Sequence, residues 1–160
     1  MTDDRPTRSS AFLLTQIGTA AAERFAGRVA EIGLTPPECG VLGLLRGRPG
    51  LSQVELGKVL GMIPSRVVPL VDGLERAGLL ERVRDEADRR RNALQLTGAG
   101  RKALTSIGRI GRAHDLQITG ALTAAQRSTL ADLLARIADD LGLTPGVHPG
   151  YRTMPGPDGP

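Results

Sequence analysis

Residues 84–96 read RDEADRRRNALQL, a run in which acids at 85, 86 and 88 precede three consecutive arginines. A guanidinium group donates through a planar, bidentate fork that suits phosphate oxygens and base edges. Arg84, Arg89, Arg90 and Arg91 therefore have the chemistry of nucleic-acid contact, while Asp85 and Asp88 can accept from neighbouring guanidiniums and stiffen the segment. A solvated charged turn has the same composition, and the segment alone leaves both readings open. A second cation, Arg66, sits in IPSRVVPL (63–70) among residues able to touch a base or a phosphate: Pro64, Ser65, Val68 and Pro69. Elsewhere the chemistry is sparse. Cys39 is the only cysteine, and His114 and His148 are the only histidines. No Cys/His cluster has metal-ligand spacing. No nucleophile with its base and no phosphate-binding glycine loop appears. The expectation is a protein without enzymatic activity, metal or cofactor.

The composition points to what must position these residues. Of 160 residues 40% are hydrophobic but only 2% aromatic, so a core has to be built from Leu, Ile, Val and Ala, which favours packed helices. The net charge is +4 and the sequence pI about 10.2. Lys58 and Lys102 are the only lysines, so the positive charge is nearly all guanidinium, as nucleic-acid binding or a codon-biased genome would both give. The start MTDDRPTRSS is polar, with no apolar stretch of signal-peptide kind. No apolar run reaches the roughly 18 residues that a membrane-crossing helix needs, which predicts a soluble, cytoplasmic protein that does not enter a membrane.

Apolar residues recur at three- and four-residue steps from Ala11 to Ile32, predicting an amphipathic helix that Gly33 ends. Thr35-Pro36-Pro37-Glu38 and Ser52-Gln53-Val54-Glu55 are capping boxes opening two short helices. A third runs from about Ile63 to Ala77 on the stripe Val67, Leu70, Val71 and Leu74, with Pro69 removing a backbone donor inside it. Three short helices in this order are a helix-turn-helix pattern. Residues 79–83 and 93–96 form a hairpin whose tip is the arginine run, with Val83, Leu94 and Leu96 expected toward the core. Thr97 opens a long helix to about Ile118. Thr123-Ala124-Ala125-Gln126 caps a last one, whose stripe Leu130, Leu133, Leu134, Ile137 and Leu141 needs a partner. The fold class is mainly α with a small β-hairpin. Residues 1–10 and the Pro/Gly-rich 143–160 are expected to be disordered.

LTPPECGVLGLL (34–45), LSQVELGKVLG (51–61), LVDGLERAGLLERVRDEADRRRNALQLT (70–97) and LTAAQRSTLADLLARI (122–137) together resemble the multiple-antibiotic-resistance regulator (MarR) family of winged-helix transcription factors. The resemblance spans residues 11–142 as a single domain. It implies a winged helix-turn-helix lobe at 35–101 and a helical dimerisation lobe from 11–34 and 102–142. It implies a homodimer that binds a near-palindromic double-stranded operator, acts as a repressor, and is released by a small anionic or aromatic effector. In the family the recognition helix enters the major groove and the wing tip the minor groove, which assigns DNA contact to Ser52, Gln53, Pro64, Ser65, Arg66, Val68, Pro69, Arg84, Asp88, Arg89, Arg90 and Arg91. The cleft between lobes, bordered by the long fifth helix, assigns effector contact to Arg109, Arg112 and His114. A peroxide-sensing branch carries its cysteine on the first helix beside tyrosines; Cys39 lies on the second and no tyrosine precedes Tyr151, so a buried structural thiol is expected. Val68 and Pro69 offer only apolar contact, which keeps open an alternative, a winged-helix module that binds a protein without specific DNA readout.

Overall fold

The computed structural model describes residues 9–84 and 92–152. The first helix, α1 (Ser10–Ala30), starts where the Ser9 hydroxyl accepts from the Phe12 N–H, and ends in a turn through Gly33 at φ 74°. Helices α2 (Pro36–Gly47) and α3 (Gln53–Leu60) both open on their capping boxes. The Glu38 carboxylate accepts from the Thr35 N–H at 2.7 Å, and that of Glu55 from the Ser52 N–H at 2.8 Å. Gly61, at φ 65°, makes the tight turn into α4 (Pro64–Arg76), and Gly78, at φ 69°, the turn out of it. Both conformations are ones that glycine enters without a steric penalty.

Strands β1 (Leu80–Arg84) and β2 (Asn92–Leu96) pair antiparallel, with Leu80 opposite Leu96 and Arg82 opposite Leu94. Beyond β2 the backbone of 50–52 acts as a partial third strand: Leu94 donates to the Leu51 carbonyl and accepts from Gly50, and Ser52 bridges Ala93. Thr97 then caps α5 (Gly98–Ile118), and Thr123 caps α6 (Ala124–Asp140).

The core lies between α2, α3, α4 and the hairpin: Leu42, Leu45, Leu56, Leu60, Val67, Val71, Leu74, Leu80 and Leu94 are all at most 2% exposed. Cross-strand partners share a face, so Leu80, Arg82, Leu94 and Leu96 line up on one side. Val83, expected in the core, is 37% exposed because the period-2 count from Leu80 puts it on the other face. Helix α1 packs along α5, where Arg28 Nη2 donates to Gln117 Oε1 at 2.5 Å.

Helix α6 buries no residue, leaving Leu130, Leu133, Leu134, Ile137 and Leu141 exposed, and Phe12, Leu13, Leu14 and Ile17 of α1 are exposed too. The expectation of disorder after residue 142 is corrected for 143–152. Pro149–Arg152 forms a 3-10 turn against α3, and Tyr151, 8% exposed, joins the core. A buried aromatic ring outweighs the Pro/Gly composition around it.

Candidate nucleic-acid interface

Helix α4 buries Val67, Leu70, Val71 and Leu74 and turns Pro64, Ser65 and Val68 outward. Arg66 and Pro69 are half-buried, so the outward flank is narrower than the spacing of the apolar stripe suggests. Pro64 occupies the first turn, where a missing N–H costs nothing. Pro69 lies inside the helix, which continues through it to Arg76. The consequence is that the helix supplies no donor to the Ser65 carbonyl.

Sequence reasoning missed the residue that fixes this helix against the wing. Arg82 stands on the inner face of β1, where the strand pattern calls for an apolar side chain. Its guanidinium donates to Asp72 at 2.5 Å and to Glu75, both on α4, and to Gln53 Oε1 on α3 at 2.9 Å. Its own N–H donates to the second Glu75 oxygen at 3.2 Å. Burial opposes the charge, but the bonds to Asp72 and the nearby Glu75 outweigh it, and the Arg82 pKa is raised. One side chain thus joins α3, α4 and β1. The available signal was an arginine in register with Leu80 and two acids one helical turn apart on α4.

At the start of α3, the Ser52 hydroxyl accepts from the Glu55 N–H and donates to the Glu55 carboxylate, so the cap takes up its one donor. Gln53 is half-buried, and because its oxygen accepts from Arg82 its amide N–H groups are the part left for a phosphate. Lys58 is exposed on the same helix. Arg84 is exposed at the end of β1 opposite Asn92. Asp88, Arg89, Arg90 and Arg91 lie outside the described residues.

A cleft of about 630 Å³ separates the α2–hairpin region from α5, with Leu45, Leu96 and Leu104 on its apolar walls and Arg46, Arg101 and Arg112 around it. Of the three residues expected at an effector site, only Arg112 lines it. Arg109 is exposed and donates to Ser106 Oγ at 3.2 Å. His114 faces α1, its ring 5.6 Å from that of Phe25, with Nδ1 buried. The reason is helical phase: residues 109, 112 and 114 cannot all share one flank of α5. Burial first, then the charges of Arg28 and Arg24, lower the His114 pKa against the opposing pull of Asp115. Cys39 is buried, and burial with the neighbouring Glu38 charge pushes its pKa up to about 11, which fits an inert thiol. Among the described residues no group of three His, Cys, Asp or Glu side chains could hold a metal, and no helix is long and apolar enough to cross a membrane.

Residues 32–91 match the model of the MarR family. A transcriptional regulatory protein for the hcr operon of Thauera aromatica is 35% identical over 119 residues, 74% of this chain and 72% of that protein. The solved structure of the transcriptional repressor CouR bound to a 23-mer DNA duplex is 33% identical, with a TM-score of 0.72 over 82% of this chain and 94% of that one. A Mycobacterium tuberculosis MarR family protein in complex with salicylic acid is 28% identical, with a TM-score of 0.68 over 86% of this chain and 99% of that one.

Proposed function

The chain belongs to the MarR family of transcriptional regulators, and we propose that it is a homodimeric repressor of a near-palindromic operator, acting by binding and not by turnover. The observation that supports this most is the Arg82 junction. It makes α4 and the wing strands one unit while leaving the Pro64, Ser65 and Val68 flank uncovered. In this reading α4 enters the major groove. Arg66 and Ser65 contact bases or phosphates, Val68 and Pro69 offer apolar contact to a thymine methyl, and Gln53 with the α3 N-terminus meets the backbone. Arg84 and the arginines of 89–91, aligned by Asp88, reach the adjacent minor groove, where narrow A·T-rich stretches concentrate negative potential. Because apolar contacts discriminate bases weakly, shape readout at the wing carries more of the specificity than the helix does. A regulator of genomic duplex works in the cytoplasm.

The exposed apolar stripes of α1 and α6 supply the dimer interface, since faces of that kind rarely stay open in a soluble protein. The 35–101 lobe then hangs from a helical lobe built of 11–34 and 102–142. The cleft beside Arg46, Arg101 and Arg112, apolar-walled and cationic, suits a small aromatic carboxylate, the chemistry of salicylic acid in the mycobacterial relative. Such a ligand shifts the population between dimers whose recognition helices do and do not match successive grooves, about 34–36 Å apart.

In vitro selection from random duplexes at near-physiological salt tests the reading. Enrichment of a twofold-symmetric sequence with half-sites about one turn apart is the expected result. No enrichment across several salt concentrations would overturn it in favour of a protein-binding winged helix.

A further inference from the structure

The C-terminal segment makes a contact that neither DNA binding nor dimerisation requires. After α6, whose side chains are all at least partly exposed, the chain turns at Gly142 (φ 64°) and Gly146 (φ 74°) and returns to the winged-helix lobe. The turn Pro149–Arg152 rests on α3. His148 Nδ1 accepts from the Gly150 N–H at 3.0 Å, and its ring lies 5.5 Å from that of Tyr151. Tyr151 sits over α2 so closely that a Cβ on Gly40 would be 2.5 Å from its Cε2 and 3.0 Å from its Cζ. The phenol is near enough to Cys39 for a thiolate there to oppose its ionisation; burial first and that charge second raise its pKa. Gly40 therefore has a specific reason to lack a side chain: it forms the floor of a seat for the ring.

We propose that residues 143–152 are an intramolecular clamp, seated on the α2–α3 surface through Tyr151, that ties α6 to the winged-helix lobe and limits how far the lobe swings. The lobe already meets the long helices through α1 and α5, both of which pack on α2, and the segment adds a further connection from the end of α6. With it, α6 is linked to α2 and α3 directly. In the dimer proposed above, on which this last step rests, the clamp narrows the range of spacings open to the two recognition helices.

Cys39, 6% exposed beneath the segment, reports on the clamp. The full chain, Gly40→Ala and Tyr151→Ala are compared for the rate at which Cys39 reacts with an aromatic disulfide at pH 8, and for amide exchange in α3 and the last turn of α6. Gly40→Ala improves helix propensity, so a faster thiol at an undiminished melting temperature marks loss of the clamp and not of the fold. The expected result is at least a tenfold rise in thiol reactivity and in exchange at both places for both variants. Unchanged thiol rates would show that the ring does not guard α2. Faster thiols with unchanged exchange in α6 would show a seat without a clamp. Either result overturns the proposal. On a selected operator, lengthening the spacer by one base pair should cost the clamped chain more affinity than the variants. If no duplex binds any of the proteins, the operator reading fails, and the thiol and exchange rates still decide the clamp.

Discussion

Replacing Arg82 with Ala removes the junction of α3, α4 and β1 and should separate the stability of the DNA-reading unit from its charge. The Arg82 side chain is 23% exposed, but Asp72 and Glu75 are 45% and 40% exposed. Each ion pair therefore contributes only in the surface range, about 0.5–1 kcal/mol. The bond to Gln53 adds about 1 kcal/mol. Loss of the aliphatic stem beside Leu80 and Leu94 adds about 0.5 kcal/mol more. The total is about 2.5–3.5 kcal/mol, or roughly 5–14 °C in melting temperature for a chain of this length. Arg82→Lys keeps the charge but not the fork, and an ammonium cannot hold two carboxylates and an amide in the same geometry. It should recover less than half of the loss. Differential scanning fluorimetry gives the stability, and titration of a selected duplex at several salt concentrations gives the function. Affinity should fall several-fold with the salt slope unchanged, because Arg82 points into the protein and neutralises no phosphate. A melting temperature that does not move, or full rescue by Lys, would show that the Arg82 fork does not hold α3, α4 and β1 together.

Arg90→Ala should behave oppositely, with the melting temperature unchanged and the magnitude of the salt slope reduced by about 1 per lost phosphate contact in each subunit; an unchanged slope in the same titration would return 85–91 to a solvated turn. Gly100→Ala should destabilise by about 1–3 kcal/mol in chemical denaturation, since a Cβ there overlaps the Leu79 carbonyl, whereas Gly43→Ala, with open space around it, should be neutral or stabilising. His114 has a folded pKa below 6.5, so its neutral form is the one the fold favours. Its contribution is complete above about pH 6.5 and is lost as the pH falls through the lowered value. Melting curves between pH 7.5 and 5 should therefore fall more steeply for the parent than for His114→Gln, and parallel curves would remove the assignment. Leu133→Glu combined with Ile137→Glu should halve the mass seen by light scattering while helicity is largely retained; an unchanged mass would place the dimer surface elsewhere.

The elements most legible in the sequence are those set by local bonds. The capping boxes at Thr35, Ser52 and Thr123 each place a side chain against an N–H three residues away, so spacing alone reveals them. The glycines that end α1 and α4 are legible for the same reason, because only a residue without Cβ enters the left-handed region at little cost. Long-range geometry is what stayed hidden. Arg82 reads as one more charge in a charged stretch until the register with Leu94 puts it inward beside acids from another helix. Tyr151 is a single aromatic among prolines and glycines, and no local pattern announces that its partner is Gly40, more than a hundred residues earlier. His114 was read by helix membership, and its phase on α5 turned it toward α1 instead of the cleft.

Glu75 does more than hold a guanidinium. A two-stranded ribbon ordinarily presents two bare edges, each a template on which another chain can add a strand. Here the far side of β2 is taken up by the backbone of 50–52, and on the outer side of β1 the Arg82 N–H is bound by the Glu75 carboxylate. The outer edge of β1 is therefore interrupted at Arg82, and the ion pair that joins the wing to α4 also hinders the addition of a passing strand there. Loss of Glu75 would matter most where many copies are crowded together, during overexpression or refolding, and would appear there as insolubility.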